Sequence, residues 1–276
     1  MLTLYTLEQK TLKSYNFLDK NDIKLALMHA YDIKSYTDYV LKLHFPIKER
    51  KEFSNILKRL INGEPIQYIL GESYFYDRYF KVNKNVLIPR IETEELVDLV
   101  LKDIDKKRGN LLDLGTGSGA IAITIKSHSK LNVYASDISK KALKIAMEND
   151  NNKQVNFVHG DLLLPFIKKR IKLDYIVANL PYINPNEVVE SKVKDYEPTK
   201  ALFNTQLNIF KRLFKQVNRL DIPATGLSIY LEVGTMQGKE ISTIAYKYLG
   251  ENVKINVLND MHDKERFVVI KDIYGN

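Results

Sequence analysis

Apolar residues recur at three- and four-residue spacing through the first sixty or so positions, the pattern of helices with one buried face. It predicts helices over Thr3–Asn16, Asp22–Tyr31, Tyr36–Leu43 and Ile47–Ile61. Asn21, Asp22 and Ser35 are candidate caps, and Gly63 ahead of Pro65 closes the last helix. The pattern changes at Ser73–Leu87, SYFYDRYFKVNKNVL, where aromatic and β-branched residues surround turn residues at Tyr76–Arg78 and Asn83–Asn85. A β-hairpin linking two domains is expected there. Helical spacing returns over Ile91–Ile104.

Beyond that point short apolar runs alternate with helical patterns. Strands are expected at Asn110–Leu114, Asn132–Ser136, Asn156–His159, Asp174–Asn179 and Leu227–Val233. Helices are expected at Gly119–Lys126, Lys140–Asn149, Leu207–Leu220 and Gln237–Leu249. Such alternation implies a parallel sheet covered by helices on both faces. Val253–Leu258 and Arg266–Lys271 follow without an intervening helix and should pair antiparallel at one edge.

The 276 residues suffice for one large domain, or for a full α/β domain with a smaller companion. The 45% hydrophobic and 28% charged content is ordinary for a globular protein. No apolar run is long enough to span a bilayer, and MLTLYTLEQK lacks the charged-then-apolar pattern of a secretory leader. A cytoplasmic protein with no membrane partner is therefore expected. The absence of cysteine excludes disulfides, thiolate nucleophiles and zinc-thiolate sites. His29, His44, His128, His159 and His262 form no metal-ligand spacing, so no metal is expected. A net charge of +8 favours acidic or nucleic-acid-bearing partners only weakly, because lysines spread over solvated faces account for it.

Candidate chemistry lies at the ends of the expected strands. The first runs into DLGTGSGAIA, with Gly115, Gly117 and Gly119 at alternate positions before a helix. Glycines there let the chain turn tightly and let a ligand approach the backbone, and the helix start offers free N–H groups. Such a turn also suits a dinucleotide, or no ligand at all. Asp137, ending YASD, is placed to accept ribose hydroxyls, and Asp161, in HGDLL, to accept from an adenine amino group. Each aspartate alone reads as a helix cap; glycines and two acids at consecutive strand ends describe a nucleoside-shaped cleft. An acid near the turn, Asp113, suits a sulfonium and an amino-acid tail better than a pyrophosphate. A further strand stops abruptly in IVANLPYI, Ile176–Ile183.

DLGTGSG, Asp137, GDLL and NLPYI together resemble class I S-adenosylmethionine-dependent methyltransferases that act on amide or amino nitrogen. GEPIQYILGE (Gly63–Glu72) and VLIPRIETEELVD (Val86–Asp98) narrow the resemblance to the protein glutamine methyltransferases of the HemK/PrmC family. DYEPTKAL (Asp195–Leu202) and LEVG (Leu231–Gly234) fall where that family has matching segments. The resemblance covers essentially the whole chain, and PRxETE with the Asn-x-Pro-Tyr strand end is its most specific part. It implies a Rossmann-like α/β methyltransferase domain at 89–276, with a seven-stranded, mostly parallel sheet whose last strand is antiparallel. A helical substrate-recognition domain at 1–72 and a hairpin linker at 73–88 precede it. The implied cofactor is S-adenosyl-L-methionine, bound by Asp113, Gly115, Thr116, Gly117, Ser118, Gly119, Asp137, Asp161, Leu162 and Asn179. The implied acceptor is the glutamine of the GGQ motif in peptide chain release factors. Asn179, Leu180, Pro181 and Tyr182 would carry the reaction and hold that glutamine, with Arg90, Glu92 and Thr93 shaping its pocket. In PRIETEE, however, a proline and acids in a first helical turn explain much of the pattern by themselves.

The chain departs from the family in three places: Leu180 stands where a proline is usual, Leu162 where an aromatic is frequent, and ALFNTQLN (Ala201–Asn208) lacks glycines. A carboxamide nitrogen is a poor nucleophile, because its lone pair is delocalised into the carbonyl. Acceptors for both its N–H hydrogens would aim that lone pair; the Asn179 side-chain oxygen and the Leu180 carbonyl are the candidates. Leu180 still precedes Pro181 and stays extended, so its carbonyl should point as a proline's would. Tyr182 would supply a flat face. Competing readings are a glutamine methyltransferase of a ribosomal protein, a DNA or RNA amino-group methyltransferase, and a cofactor-binding regulatory protein without catalysis. The helical segment carries no concentrated basic patch, so nucleic acid is not expected as direct substrate.

Overall fold

The computed structural model describes residues 1–104, 108–185, 187, 191–205 and 207–275, and only the backbone of 191–193. The chain divides into two compact units. The smaller begins with α1 (Leu4–Ser14), α2 (Lys20–Ala30), α3 (Tyr36–Lys42), α4 (Lys51–Ile61) and α5 (Ile66–Leu70). Their apolar stripes meet in a core of Leu4, Ile23, Ala26, Leu27, Tyr39, Phe53, Ile56 and Leu60. Inside it the Tyr39 hydroxyl donates to Glu8 Oε2 at 2.5 Å, which supplies a partner for a buried carboxylate.

Two helix starts differ from the periodicity. The cap of α2 is Asp19 rather than Asn21 or Asp22, because its Oδ1 accepts from both of their amides at 2.7 and 3.3 Å. Helix α4 starts at Lys51, not Ile47, since the Ile47 amide is bound to the Leu2 carbonyl (3.0 Å) and Thr3 and Pro46 form a β-bridge. The α5 turn falls inside GEPIQYILGE, too short to show a helical period, and ends on Gly71 at φ +79°.

The larger unit opens with the hairpin β1 (Glu72–Phe75) and β2 (Arg78–Lys81). Phe75 and Phe80 are fully buried beside Leu96, Val97 and Val100 of α6 (Ile91–Asp103), so the hairpin contributes to this unit's core. Then follow β3 (Asn110–Leu114), α7 (Ala120–His128), β4 (Asn132–Asp137), α8 (Lys140–Asn149), β5 (Asn156–His159), α9 (Leu164–Lys169) and β6 (Tyr175–Asn179). Helix α10 (Ser191–Tyr196) joins the helical unit, where the Tyr196 hydroxyl donates to the Asn62 carbonyl at 2.9 Å. The larger unit resumes with α11 (Thr199–Leu202), α12 (Asn208–Val217), β7 (Leu227–Glu232), α13 (Gly238–Leu249), β8 (Lys254–Asn259) and β9 (Glu265–Ile273).

The seven strands lie in the order β5-β4-β3-β6-β7-β9-β8. All neighbours are parallel except β9, which runs antiparallel to both β7 and β8. Helices α6 and α7 cover one face; α12 and α13 cover the other through Phe210, Leu213, Phe214 and Ile241. The strand order proceeds from β3 through β4 to β5, then restarts on the other side with β6 and β7. The reversal lies between β3 and β6, and in open α/β sheets a ligand crevice opens there, beyond the carboxyl ends of the strands.

Phe214 has no exposed surface and anchors α12 to the sheet. Phe214→Ala is expected to destabilise the fold by about 3–5 kcal/mol, read from the denaturant midpoint; an unmoved midpoint would contradict this packing.

Candidate active site

The glycine turn follows β3 on the crevice side. Gly115 and Thr116 amides donate to the Ser136 carbonyl at 2.8 and 2.9 Å, pinning the turn to β4. Gly117 sits at φ +55° with nothing within 4 Å of where a Cβ would be, so the backbone here is open to a ligand. Gly119, at φ +84°, is the N-cap of α7, and a Cβ there would press on Ala146 Cα at 3.3 Å. Asp137 ends β4; its Oδ2 accepts from the Gly117 amide (3.0 Å) and its Oδ1 from Ser139 (2.7 Å). Burial raises its pKa against those amides.

Asp113 lies beneath the turn rather than in the crevice. It is wholly buried, and Oδ2 accepts from the Thr116 hydroxyl (2.6 Å) and the Ala122 amide (3.1 Å), bracing loop and helix together. Oδ1 has no partner among the described residues, and desolvation pushes the carboxyl up to about 7. Ser118 is buried, its carbonyl accepting from Asn149 Nδ2 at 2.9 Å. Asp161 forms an ion pair with Arg212, and Leu162 turns into the core at φ +48°.

Asn179 ends β6 directly beside β3. It is the register partner of Glu232 at the end of β7, so both side chains reach the same rim. Asn179 Nδ2 donates to Thr93 Oγ1 (3.1 Å), and Thr93 donates to Glu232 Oε2 (2.7 Å). The Tyr182 hydroxyl stands 3.5 Å from Glu232 Oε1. Among the described residues, no donor reaches Asn179 Oδ1 or the Leu180 carbonyl. The Leu180 side chain is buried, its Cδ2 filling the space a Cβ on Gly115 would need. After Pro181, the turn is held by Gln237 Nε2 donating to the Tyr182 carbonyl (2.9 Å) and by the Ile183 amide donating to Leu202 (3.1 Å).

The polar side chains of PRIETEE spread over separate partners. Arg90 forms a 2.5 Å ion pair with Glu197 of DYEP, whose carboxylate is almost inaccessible. Thr93 meets Glu232; Glu94 accepts from the Tyr76 amide at 2.7 Å; Glu95 accepts from the Met261 amide. Glu92 is close enough for its charge to raise the pKa values of Glu232 and Tyr182. Burial pushes the Glu232 carboxyl up to about 7, opposed by the Thr93 hydrogen bond and the Arg266 charge. Burial and the Glu232 charge push Tyr182 up to about 12.

Residues 93–196 match the methyltransferase small domain, and residues 9–71 match the PrmC N-terminal domain. The release factor glutamine methyltransferase of Lactococcus lactis is 40% identical over 81% of this chain and 83% of its own. That of Bacillus cereus is 35% identical over 92% and 93%. The chain belongs to the release factor glutamine methyltransferase family. Among solved structures, the hMettl16 catalytic domain aligns with a TM-score of 0.54 at 16% identity, covering 71% of this chain and 74% of that one, a likeness of fold alone.

Within this family member, the strand-end and PRxETE segments converge on one rim through the Asn179–Thr93–Glu232 chain, while Arg90 points to Glu197 instead. Glu232 falls within the LEVG segment of the resemblance, but no role follows for it from the sequence, nor for Arg266 or Gln237; its one local signal is an acid closing the mostly apolar strand LSIYLE. Among the described residues, no cluster of His, Asp and Glu could hold a metal ion, and no helix is long and apolar enough to cross a membrane.

A carboxyl with a raised folded-state pKa stabilises the fold fully below its unfolded value of about 3.9 and loses that contribution as pH climbs through its folded value. For Asp113 the loss builds up from about pH 4 to about pH 7 and is complete above that. Asp113→Asn removes this titration, so its melting temperature should gain on the parent's as pH rises from about 4.5 to about 7 and then hold level. A pH-independent difference in differential scanning calorimetry would count against the buried carboxyl.

Proposed function

We propose that this protein transfers a methyl group from S-adenosyl-L-methionine to the side-chain amide nitrogen of the glutamine in the GGQ motif of peptide chain release factors. The observation that carries the reading is the anchored carboxamide of Asn179: its nitrogen end is taken by Thr93, leaving its oxygen as an acceptor at the crevice. Membership of a family whose relatives bear the name of this activity supplies the acceptor class.

The residues around the glycine turn suit the cofactor. The backbone is open above Gly117, and each carboxylate oxygen of Asp137 keeps a further lone pair for a ribose hydroxyl. Leu180 closes the turn beside Gly115 with an apolar wall. Gly115, Thr116, Gly117, Ser118, Gly119, Asp137, Leu162 and Asn179 would hold the cofactor, with Asp113 acting from below and Asp161 paired with Arg212 at the margin. When bound, the cofactor supplies an electrophilic methyl on a sulfonium and keeps the carbon–sulfur electron pair as a neutral thioether.

Asn179 Oδ1 and the Leu180 carbonyl accept the two N–H hydrogens of the substrate amide, directing its lone pair in line with the methyl carbon. Tyr182 offers its ring to the amide plane. Asn179 Oδ1, the Leu180 carbonyl or water would take the proton the methylated nitrogen sheds. No strong base is needed, because alignment of two reactants can supply roughly 7–11 kcal/mol. Glu92 and Arg90 border this rim, Arg90 by fixing the Glu197 segment. Residues 1–72 are the substrate-recognition domain, since a single glutamine loop offers little binding area; residues 73–88 link it to the catalytic domain at 89–276, with the hairpin packed into that domain's own core. Release factors act in the cytoplasm, and this reading locates the enzyme there.

Labelled cofactor with a purified release factor, beside a copy whose GGQ glutamine is alanine, tests this directly: label on the first alone is expected. Asn179→Ala should lower kcat by about 100-fold, the scale for losing one preorganised polar contact to a transition state, with a much smaller loss of cofactor affinity. Label on both release factors, or near-normal turnover by Asn179→Ala, would refute the assignment.

A further inference from the structure

We propose that Thr93 and Glu232 are positioning residues of the methyl-transfer site, forming a hydrogen-bond relay whose polarity turns the oxygen of the Asn179 carboxamide, rather than its nitrogen, toward the acceptor amide. The inference rests on the function proposed above and assigns a role to two buried groups that chemistry itself does not use.

A carboxamide presents an oxygen and an NH₂ of nearly the same shape, so packing alone discriminates poorly between its two orientations. The reaction does discriminate. An amide nitrogen carrying two hydrogens needs acceptors, and a reversed Asn179 would confront it with donors. Something must therefore fix which end faces the crevice. Thr93 Oγ1 lies 2.7 Å from Glu232 Oε2 and 3.1 Å from Asn179 Nδ2. A hydroxyl has one proton, and an ionised carboxylate only accepts. The Thr93 proton goes to Glu232, so Thr93 has only lone pairs to offer Asn179. The nitrogen of Asn179 must then face Thr93 and its oxygen the crevice.

The backbone leaves these groups little freedom to separate. Asn179 and Glu232 are register partners in adjacent parallel strands, and Thr93 lies buried in the first turn of α6. Glu232 is itself 1% exposed, so water cannot substitute for either partner.

The polarity reverses once Glu232 binds a proton. It can then donate to Thr93, which frees the threonine proton to point at Asn179 and makes the wrong amide orientation equally satisfied. The groups facing Glu232 are Thr93 and Glu92 from α6, Asn179 and Tyr182 from the end of β6, and Arg266 from β9. Arg266 is shared with buried Asp260 at 3.2 Å, and Arg90 bears on Tyr182. Desolvation and Glu92 favour the protonated form; Thr93, Arg266 and Asn179 favour the ionised one. Their balance puts the carboxyl at about 7, so the switch falls within an accessible pH range.

The test is kcat/KM for a purified release factor from about pH 6 to about pH 8.5, with saturating S-adenosyl-L-methionine, for the parent, Thr93→Val, Thr93→Ser and Glu232→Gln. Cofactor affinity and melting temperature are measured alongside. Thr93→Val, matched in shape but without the hydroxyl, should lose roughly 10- to 100-fold at the upper pH, while binding cofactor as the parent does. Thr93→Ser should recover most of that loss. The parent rate should fall below its inflection near 7 to a lower plateau, about twofold down if the two amide orientations are then equally populated, and Glu232→Gln should sit at that plateau with the inflection gone. A Thr93→Val enzyme as fast as the parent, or a Glu232→Gln enzyme that keeps the parent's inflection, would overturn the relay. Should both variants fail to fold, a parent profile flat across the range would overturn it, and an inflection that survives in Asp113→Asn, which removes the other carboxyl raised to about 7, would support it. A parent inert toward release factor at every pH, yet able to bind cofactor, would instead overturn the underlying function; active parent with indifferent variants overturns the relay alone.

Discussion

A carboxylate removed from water has to be given partners, and Glu232 is the point where that requirement organises the catalytic rim. Its burial costs free energy that only nearby donors and positive charge can offset. Thr93 comes from the first turn of a helix more than a hundred residues earlier, Asn179 from the next strand, Arg266 from the antiparallel strand beyond. Three segments far apart in the chain are thereby drawn to one group. The pKa raised to about 7 records that desolvation outweighs the compensation these partners supply.

The sheet makes this convergence possible. Reversal of strand order between β3 and β6 puts the glycine turn and the Asn179 strand end next to each other, and β7 delivers Glu232 in register with Asn179. The same pattern of bracing recurs at the glycine turn, where buried Asp113 ties Thr116 to the α7 backbone and Asp137 holds Gly117. It recurs again where buried Glu197 takes Arg90. In each case an acid works from behind, holding a backbone or a neighbouring side chain in the conformation that the open face of the site requires. Leu180 shows the converse. Its side chain is spent on packing against Gly115, and that packing supplies rigidity where a proline ring would otherwise restrict φ.

Much of this was legible beforehand, for identifiable reasons. Strands β3, β6 and β7 are buried along nearly their whole length and read as largely apolar runs, so their positions followed from pattern. Gly115, Gly117 and Gly119 stood out because positive φ is costly for other residues, and all three adopt it. Short elements such as α5, α9 and α11 have too few residues to display a period, and they were not foreseen. Asp19 was overlooked as the α2 cap because its neighbours Asn21 and Asp22 carry equally suitable side chains, and only the path of the backbone decides which oxygen reaches the free amides.

The order of elements, the covered parallel sheet, the glycine turn and the Asn-x-Pro-Tyr strand end were determined by the sequence alone, since each depends on local periodicity or on one residue's backbone preferences. Which polar side chains share a partner was decided by the tertiary structure. Nothing local links Thr93 to Glu232 or Arg90 to Glu197, and a buried acid reads from sequence much as a solvated one does. The cost of burying its charge exists only after the chain has closed around it, and that cost selects the donors that finish the site.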